Sequence, residues 1–159
     1  LIQGGEMPVE PIRLDVVLGQ QVEKTRRKYP DATVRVDGDV PAVDVVANQM
    51  LSSVFDNLLG NAIVHNDRAE PTVTVDAALT SADDADAVVV RVADDGPGIP
   101  DGMQESLFGR GEKGVDSPGT GMGLYLVDQL VFGYGGDVHV EPNDPRGTVF
   151  TVTVPVADD

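Results

Sequence analysis

The spacing of apolar residues changes along this chain, and each change predicts an element. From Ile12 to about Lys28, Leu14, Val17, Leu18 and Val22 recur at helical spacing until Pro30 stops the helix. Two short extended pieces, TVRVDG and AVDVV, flank a turn at Gly38 to Pro41 and predict a hairpin. Then Ala47, Met50, Leu51, Val54, Phe55, Leu58, Leu59, Ala62 and Ile63 form one apolar stripe. It runs for about 18 residues, too long for a buried strand. PTVTVDAAL and DAVVVRVADD predict two strands joined by an acidic turn, with Val88 to Val92 apolar enough for a sheet centre. A third helix starts near Gly121 and carries Leu124, Val127, Leu130 and Val131. The closing GGDVHVEPNDPRGTVFTVTVP predicts a hairpin whose last strand alternates Thr148, Phe150, Val152 and Val154 with Val149, Thr151 and Thr153. This order gives an α/β fold, a two-layer sandwich rather than repeated βαβ units.

Between Gly96 and Gly121 the pattern fails: eight glycines and three prolines in 26 residues allow no regular element. A loop of that length in a compact domain is usually functional. Residues 1–11 are rich in Gly and Pro and read as a connector or edge strand. With 159 residues the chain is one domain, and its first residue, Leu1, suggests a piece of a longer protein. It has no apolar run long enough for a membrane span, no signal-like amino end and no cysteine. These features predict a cytoplasmic domain without disulfides or thiolate metal sites.

Charge narrows the picture further. Twenty-seven acidic residues against 11 basic give a net −16, which argues against nucleic-acid binding through a basic surface. The carboxylates are scattered through periodic segments instead of forming a tail, as in proteins of salt-loving microbes, where molar salt screens self-repulsion. The expected source is a halophilic archaeon.

Three stretches carry candidate chemistry. In DNLLGNAIVHND, Asn57 and Asn61 stand four apart, on one helix face beside the apolar stripe. Two exposed helix asparagines would be a sufficient reading of this pair alone. Asn is a poor helix former, however, and its amide oxygen suits Mg²⁺ that also holds phosphate. In VADDGPGIP, Asp94 and Asp95 close the central strand, and Gly96 and Gly98 turn the chain away. An acidic turn would account for them, as would a buried carboxylate accepting from an exocyclic amine such as that of adenine, with Gly98 allowing close approach. In SPGTGMGLYLV, Gly119, Gly121 and Gly123 run directly into a helix and present bare N–H groups to an anion. The spacing matches neither the dinucleotide fingerprint nor a GxxxxGK[ST] loop.

In this order and spacing the three stretches resemble the N, G1 and G2 boxes of the GHKL superfamily, specifically the catalytic ATP-binding (HATPase) domain of sensor histidine kinases. The resemblance covers about residues 8–156, and ESLFGRG with Phe108 resembles the F box. It implies a Bergerat-type ATP-binding fold, a mixed sheet on about three helices with a mobile ATP lid at 100–119. It also implies that Asn61 binds Mg²⁺ with Asn57 beside it, and that Asp94 accepts from the adenine amine. Gly96, Gly98 and Ile99 would shape the adenine pocket. Gly119, Thr120, Gly121 and Gly123 would lead the lid into the phosphate-facing helix.

Two departures bear on mechanism. The family often has Lys or Arg and then Tyr after NAI, where this chain has Val64 and His65. His65 is a candidate nucleotide contact, and Arg110 or Lys113 on the lid are the candidates for the missing cation. Gyrase-type and chaperone-type members place a Glu where Asn57 stands, and Asn cannot take a proton from water. The resemblance therefore implies an enzyme that holds Mg-ATP and donates the γ-phosphate to a His on a separate dimerising helical domain, and from there to a response regulator. Residues 1–10 would be the connector to that domain and residues 11–157 the ATP-binding domain, monomeric alone within a homodimeric parent that is free to be membrane-anchored. The alternatives are an anti-sigma-factor-like serine kinase and a non-catalytic ATP-gated binding module.

Overall fold

The computed structural model describes residues 7–82, 85–99 and 121–157. The first strand, β1 (Glu10–Arg13), runs straight into helix α1 (Leu14–Lys28). Ile12, expected to open the helix, is therefore in the strand. In α1 the buried line is Leu14, Leu18, Val22 and Thr25, and Thr25 donates its hydroxyl to the Gln21 carbonyl at 2.8 Å. Asp15 sits in the first turn and Arg26, Arg27 and Lys28 in the last, each sign matched to the helix dipole.

The next strands, β2 (Thr33–Val36) and β3 (Asp44–Ala47), do not form the expected hairpin. β3 pairs antiparallel with β1 in a separate two-stranded sheet, Glu10 opposite Ala47 and Arg13 opposite Asp44. Short Val-rich segments carry the strand period but do not encode their partner, and burial decides it. Val45 and Ala47 are fully buried in the position β3 takes.

Helix α2 (Leu51–Val64) begins later than the apolar stripe suggests. Ala47 belongs to β3 and Met50 is exposed. The cause is Asn48, whose side-chain oxygen accepts the Met50 N–H at 2.9 Å and the Tyr134 hydroxyl at 2.7 Å. That local bond competes with helix at the positions before Leu51. Burial pushes the Tyr134 hydroxyl up to about 12, so it remains a donor to Asn48. Leu51, Val54, Phe55, Leu58, Leu59, Ala62 and Ile63 are all buried. Each large side chain of that row contributes roughly 1.5–3 kcal/mol on full burial, which anchors the helix that carries the asparagines.

The main sheet is completed by β4 (Thr72–Ala82), β5 (Ala85–Asp94), β6 (Asp137–Pro142) and β7 (Thr148–Pro155), with helix α3 (Gly121–Gly133) between β5 and β6. The order is β2-β4-β5-β7-β6, with β2 parallel to β4 and every other pair antiparallel. β5 is central, as its apolar run predicts. Register sets Val75, Val92 and Phe150 in one row, all buried together with residues of the three helices. The result is one mixed sheet and three helices around a shared core. No helix among the described residues is long and apolar enough to cross a membrane.

Candidate functional site

Asp94 is the last residue of β5 and is buried. Its Oδ1 accepts the Gly96 N–H at 2.9 Å and the Thr148 N–H at 3.2 Å. Its Oδ2 takes no hydrogen bond from any described residue. Burial pushes the Asp94 carboxyl up from the ordinary aspartate range, although the two N–H donors oppose this. A carboxylate so placed has one oxygen fixed and one to offer.

The backbone around it leaves no slack. Gly147, at φ +111°, approaches so closely that a Cβ there would lie 1.9 Å from the Asp94 carbonyl oxygen. The Asn143 amide donates to that same carbonyl at 2.8 Å. Gly98, at φ +85°, turns the loop after β5 beside the Gly147 carbonyl. Both angles lie where residues with a side chain are strained.

Asp95 does a different job from its neighbour. Its Oδ1 accepts the Asn66 amide at 2.9 Å and the Thr72 N–H at 3.1 Å, and Arg68 pairs with Oδ2 at 3.2 Å. Burial pushes its carboxyl up, but Thr72, Asn66 and Arg68 together outweigh that and hold it below the usual range. Arg146 donates to the Asp95 carbonyl at 3.1 Å and to Asp67 at 2.9 Å. Asp95 thus ties α2's exit, β4 and the β6–β7 turn to the end of β5.

A pocket of about 50 Å³ opens beside Asp94, lined by Gly98, Ile99, Phe150, Asn61 and His65 among others. A wider cleft of about 240 Å³ lies next to it, between α1, α2 and the start of α3. Asn61 and His65 line both spaces, and Asn57, Gly60 and Gly123 line the cleft. Asn57 and Asn61 are half-buried and His65 is exposed at the α2 end. The Asn57 amide donates to the Ser53 carbonyl at 2.7 Å, while its oxygen faces Gly123, where a Cβ would sit 2.5 Å away. The carboxamide occupies the volume a side chain on α3 would need. The first-turn N–H groups of α3, which no intrahelical carbonyl can satisfy, begin at Gly121 beside this contact.

Asn57, Asn61, His65, Asp94, Gly98, Ile99 and Gly123 are therefore brought to two adjoining hollows that form one depression by sharing Asn61 and His65, with Gly96 holding Asp94 and Gly121 opening α3. Arg110, Lys113, Gly119 and Thr120, the lid at 100–119 and Phe108 lie outside the described residues. His139, on β6, is exposed and 3.6 Å from Asp137, away from the depression. Four contributors escape a reading of the sequence. Gly147 and Asn143 lie in PNDPRGT, where the ProArgGly turn is visible but its approach to Asp94 is not. Lys24 and Lys28 line the cleft from α1, and look in the sequence like the solvated end of a helix.

The depression fits a purine nucleotide with Mg²⁺. It offers a spare acceptor oxygen beside an Ile and a Phe at one end and amide oxygens at the other. Among the described residues no three His, Asp or Glu side chains gather as a metal cage. A Mg²⁺ ion held here would rest on amide and phosphate oxygens, a donor set that suits it.

Comparison with known proteins identifies the family. Residues 47–158 match the family of histidine kinase-, DNA gyrase B- and HSP90-like ATPases. The sensor histidine kinase DpiB of Escherichia coli is 36% identical over 65% of this chain and 19% of its own length. Among solved structures, the mycobacterial sensor histidine kinase MprB superposes with a TM-score of 0.78 at 27% identity, covering 96% of this chain and 100% of that one. Full-length ShkA in complex with AMPPNP superposes at 0.76 with 25% identity, over 97% of this chain and 32% of its own. The chain spans less than a third of the length of the curated relatives it matches. Its sequence match, its five-stranded sheet on three helices and the course of its cleft lead to one conclusion: the chain belongs to the family of histidine kinase-, DNA gyrase B- and HSP90-like ATPases, as an ATP-binding domain of the sensor histidine kinase type.

Proposed function

We propose that residues 11–157 bind Mg-ATP and present its γ-phosphate to a histidine on a separate helical domain of the same protein, which then passes it to a response regulator. The observation that carries this is that the Asp94 pocket and the Asn57–Asn61 cleft lie side by side, with Asn61 and His65 in the wall of both. Mg-ATP supplies the transferable phosphoryl group. Asp94 accepts a hydrogen bond from the adenine amine through Oδ2, while Gly98 and Ile99 shape the pocket and Gly96 fixes Oδ1. Asn61 offers its amide oxygen to the metal and Asn57, oriented by Ser53 and Gly123, stands beside it. His65 contacts the nucleotide where the two spaces meet. Gly121 and Gly123, in the first turn of α3, bring N–H groups to the phosphates, and the resemblance assigns Gly119 and Thr120 the same part.

Phosphoryl transfer needs mainly positioning and charge neutralisation. Neither Asn57 nor Asn61 can act as a base toward water, so this arrangement favours holding ATP over hydrolysing it. The comparison with ShkA supports the nucleotide class, since AMPPNP is an ATP analogue. Residues 1–10 would connect to the acceptor domain, in a cytoplasmic unit that is monomeric alone.

The test supplies a dimerising helical hairpin bearing the acceptor histidine, with labelled ATP. Acid-labile phosphohistidine is expected with the wild type and not with Asn61→Ala, which should also weaken Mg-ATP binding about tenfold. ATP binding without transfer to any such hairpin would favour a nucleotide-gated binding module. The net charge of −16 further supports a working medium of molar salt, as in a halophilic archaeon. The melting temperature should rise between dilute and molar KCl, and a flat curve would refute this.

A further inference from the structure

We propose that Lys28 is the cation that, among the described residues, meets the nucleotide's phosphates, and that Lys24 cancels the charge of Asp56 on the same cleft. This rests on the nucleotide reading above and adds to it the group that pairs with phosphate.

The cleft wall formed by α2 contributes no cation. Asp56, Asn57, Gly60, Asn61 and Val64 line it there, with His65 at the end as the other titratable side chain. Val64, 59% exposed, offers only hydrocarbon. Asp56 adds a negative charge, in a protein whose net charge is already −16. A polyphosphate entering such a cleft meets repulsion unless a positive group stands close, since charges beyond roughly 10 Å are screened in ordinary salt.

α1 provides that group. Lys24 and Lys28, one turn apart, both line the cleft, and they are two of only three lysines in the chain. Lys24 Nζ lies 3.8 Å from Asp56 Oδ1, both side chains roughly half exposed. Such a pair adds little stability, but it removes a charge that would oppose phosphate. Lys28 has no carboxylate within ion-pair distance among the described residues. Its Nζ lies 5.5 Å from the ring centroid of Tyr29, which also lines the cleft. The ring steadies the long side chain without neutralising it, so its charge is available. Arg26, by contrast, is turned away to the Val34 carbonyl and Glu23. A flexible ammonium presented as a point charge suits a phosphate chain that changes on transfer.

The test measures binding of Mg-ATP and of adenosine by calorimetry to the wild type, Lys28→Met, Lys28→Arg, Lys24→Met and the double variant Lys24→Met with Asp56→Asn. Lys28→Met should weaken Mg-ATP about tenfold and leave adenosine unchanged, and Lys28→Arg should recover most of the loss. Lys24→Met should weaken Mg-ATP less, and the added Asp56→Asn should restore it. Circular dichroism melting should move only slightly for Lys28→Met, because that exposed side chain adds only a helix-end charge and a contact with Tyr29. If the wild type binds Mg-ATP and Lys28→Met binds it equally, or if adenosine weakens alongside ATP, the proposal is overturned. If the wild type binds adenosine and ATP not at all, the nucleotide reading itself fails.

Discussion

The two ends of the depression are built by opposite means. At the Asp94 end, fixed backbone donors, a carbonyl approached by Gly147 and a side-chain network through Asp95 define every position before any ligand arrives. At the Asn61 end, side chains on three helices line a wider cleft, and the cationic groups are long, exposed lysines. On the nucleotide reading proposed above, the first end would recognise a flat rigid group and the second would follow a flexible, highly charged one. Preorganisation is useful only where the ligand does not change shape.

Breaking the rigid end should therefore cost fold as well as function. Gly147→Ala would force a methyl group into the Asp94 carbonyl at an angle reserved for glycine. A loss of roughly 3 kcal/mol or more is expected from strain and overpacking combined. Denaturant titration checks it, and a midpoint unchanged from wild type would show that the turn relaxes freely.

Asp94→Asn should separate recognition from stability. The amide keeps an oxygen for the Gly96 and Thr148 N–H groups but turns a donor toward the adenine amine. Affinity for adenosine and Mg-ATP alike should fall by about 1–3 kcal/mol, roughly fivefold to 150-fold. Stability at pH 7 should rise. Burial sets the native Asp94 value above that of the unfolded chain, so the cost of ionisation is present in full at neutral pH and is relieved as pH falls through the native value. Asp95 has the opposite sign. Its native value is depressed, so its contribution is present above the ordinary value near 3.9 and lost as pH falls through the native one. Thermal melts of both proteins from pH 7 to 3 should show the gap between them narrowing as Asp94 protonates.

The two ends also differ in how legible they are in the sequence. Asn57 and Asn61 stand out as poor helix formers repeated on one face beside the apolar stripe, and Asp94 as a carboxylate closing an apolar strand. Such conflicts mark sites. Gly147 and the α1 lysines carry no such mark. Gly147 is one turn glycine among 18, and what distinguishes it is contact with a residue 53 positions earlier. Lys28 follows the rule for a helix end so well that the dipole accounts for it locally, and Lys24, one turn earlier, reads as an exposed helix cation. The misread hairpin has the same origin, since β2 and β3 each show the strand period while their partners, β4 and β1, are chosen by long-range burial.

Within the open cleft, the contact of Asn57 on α2 against Gly123 on α3 allows the smallest and most discriminating change. Gly123→Ala places a methyl group 2.5 Å from the Asn57 oxygen, but that oxygen is the end of a side chain that can rotate. Ala is also better than Gly in a helix by about 1 kcal/mol, which offsets much of the crowding. The melting temperature should hence move little. Displacing the carboxamide, and with it the bond to Ser53, should nevertheless weaken Mg-ATP about fivefold while leaving adenosine untouched. Calorimetry with both ligands decides this. Equal weakening of adenosine would mean that the cleft and the Asp94 pocket respond as one rigid body, and that the division between the two ends does not hold.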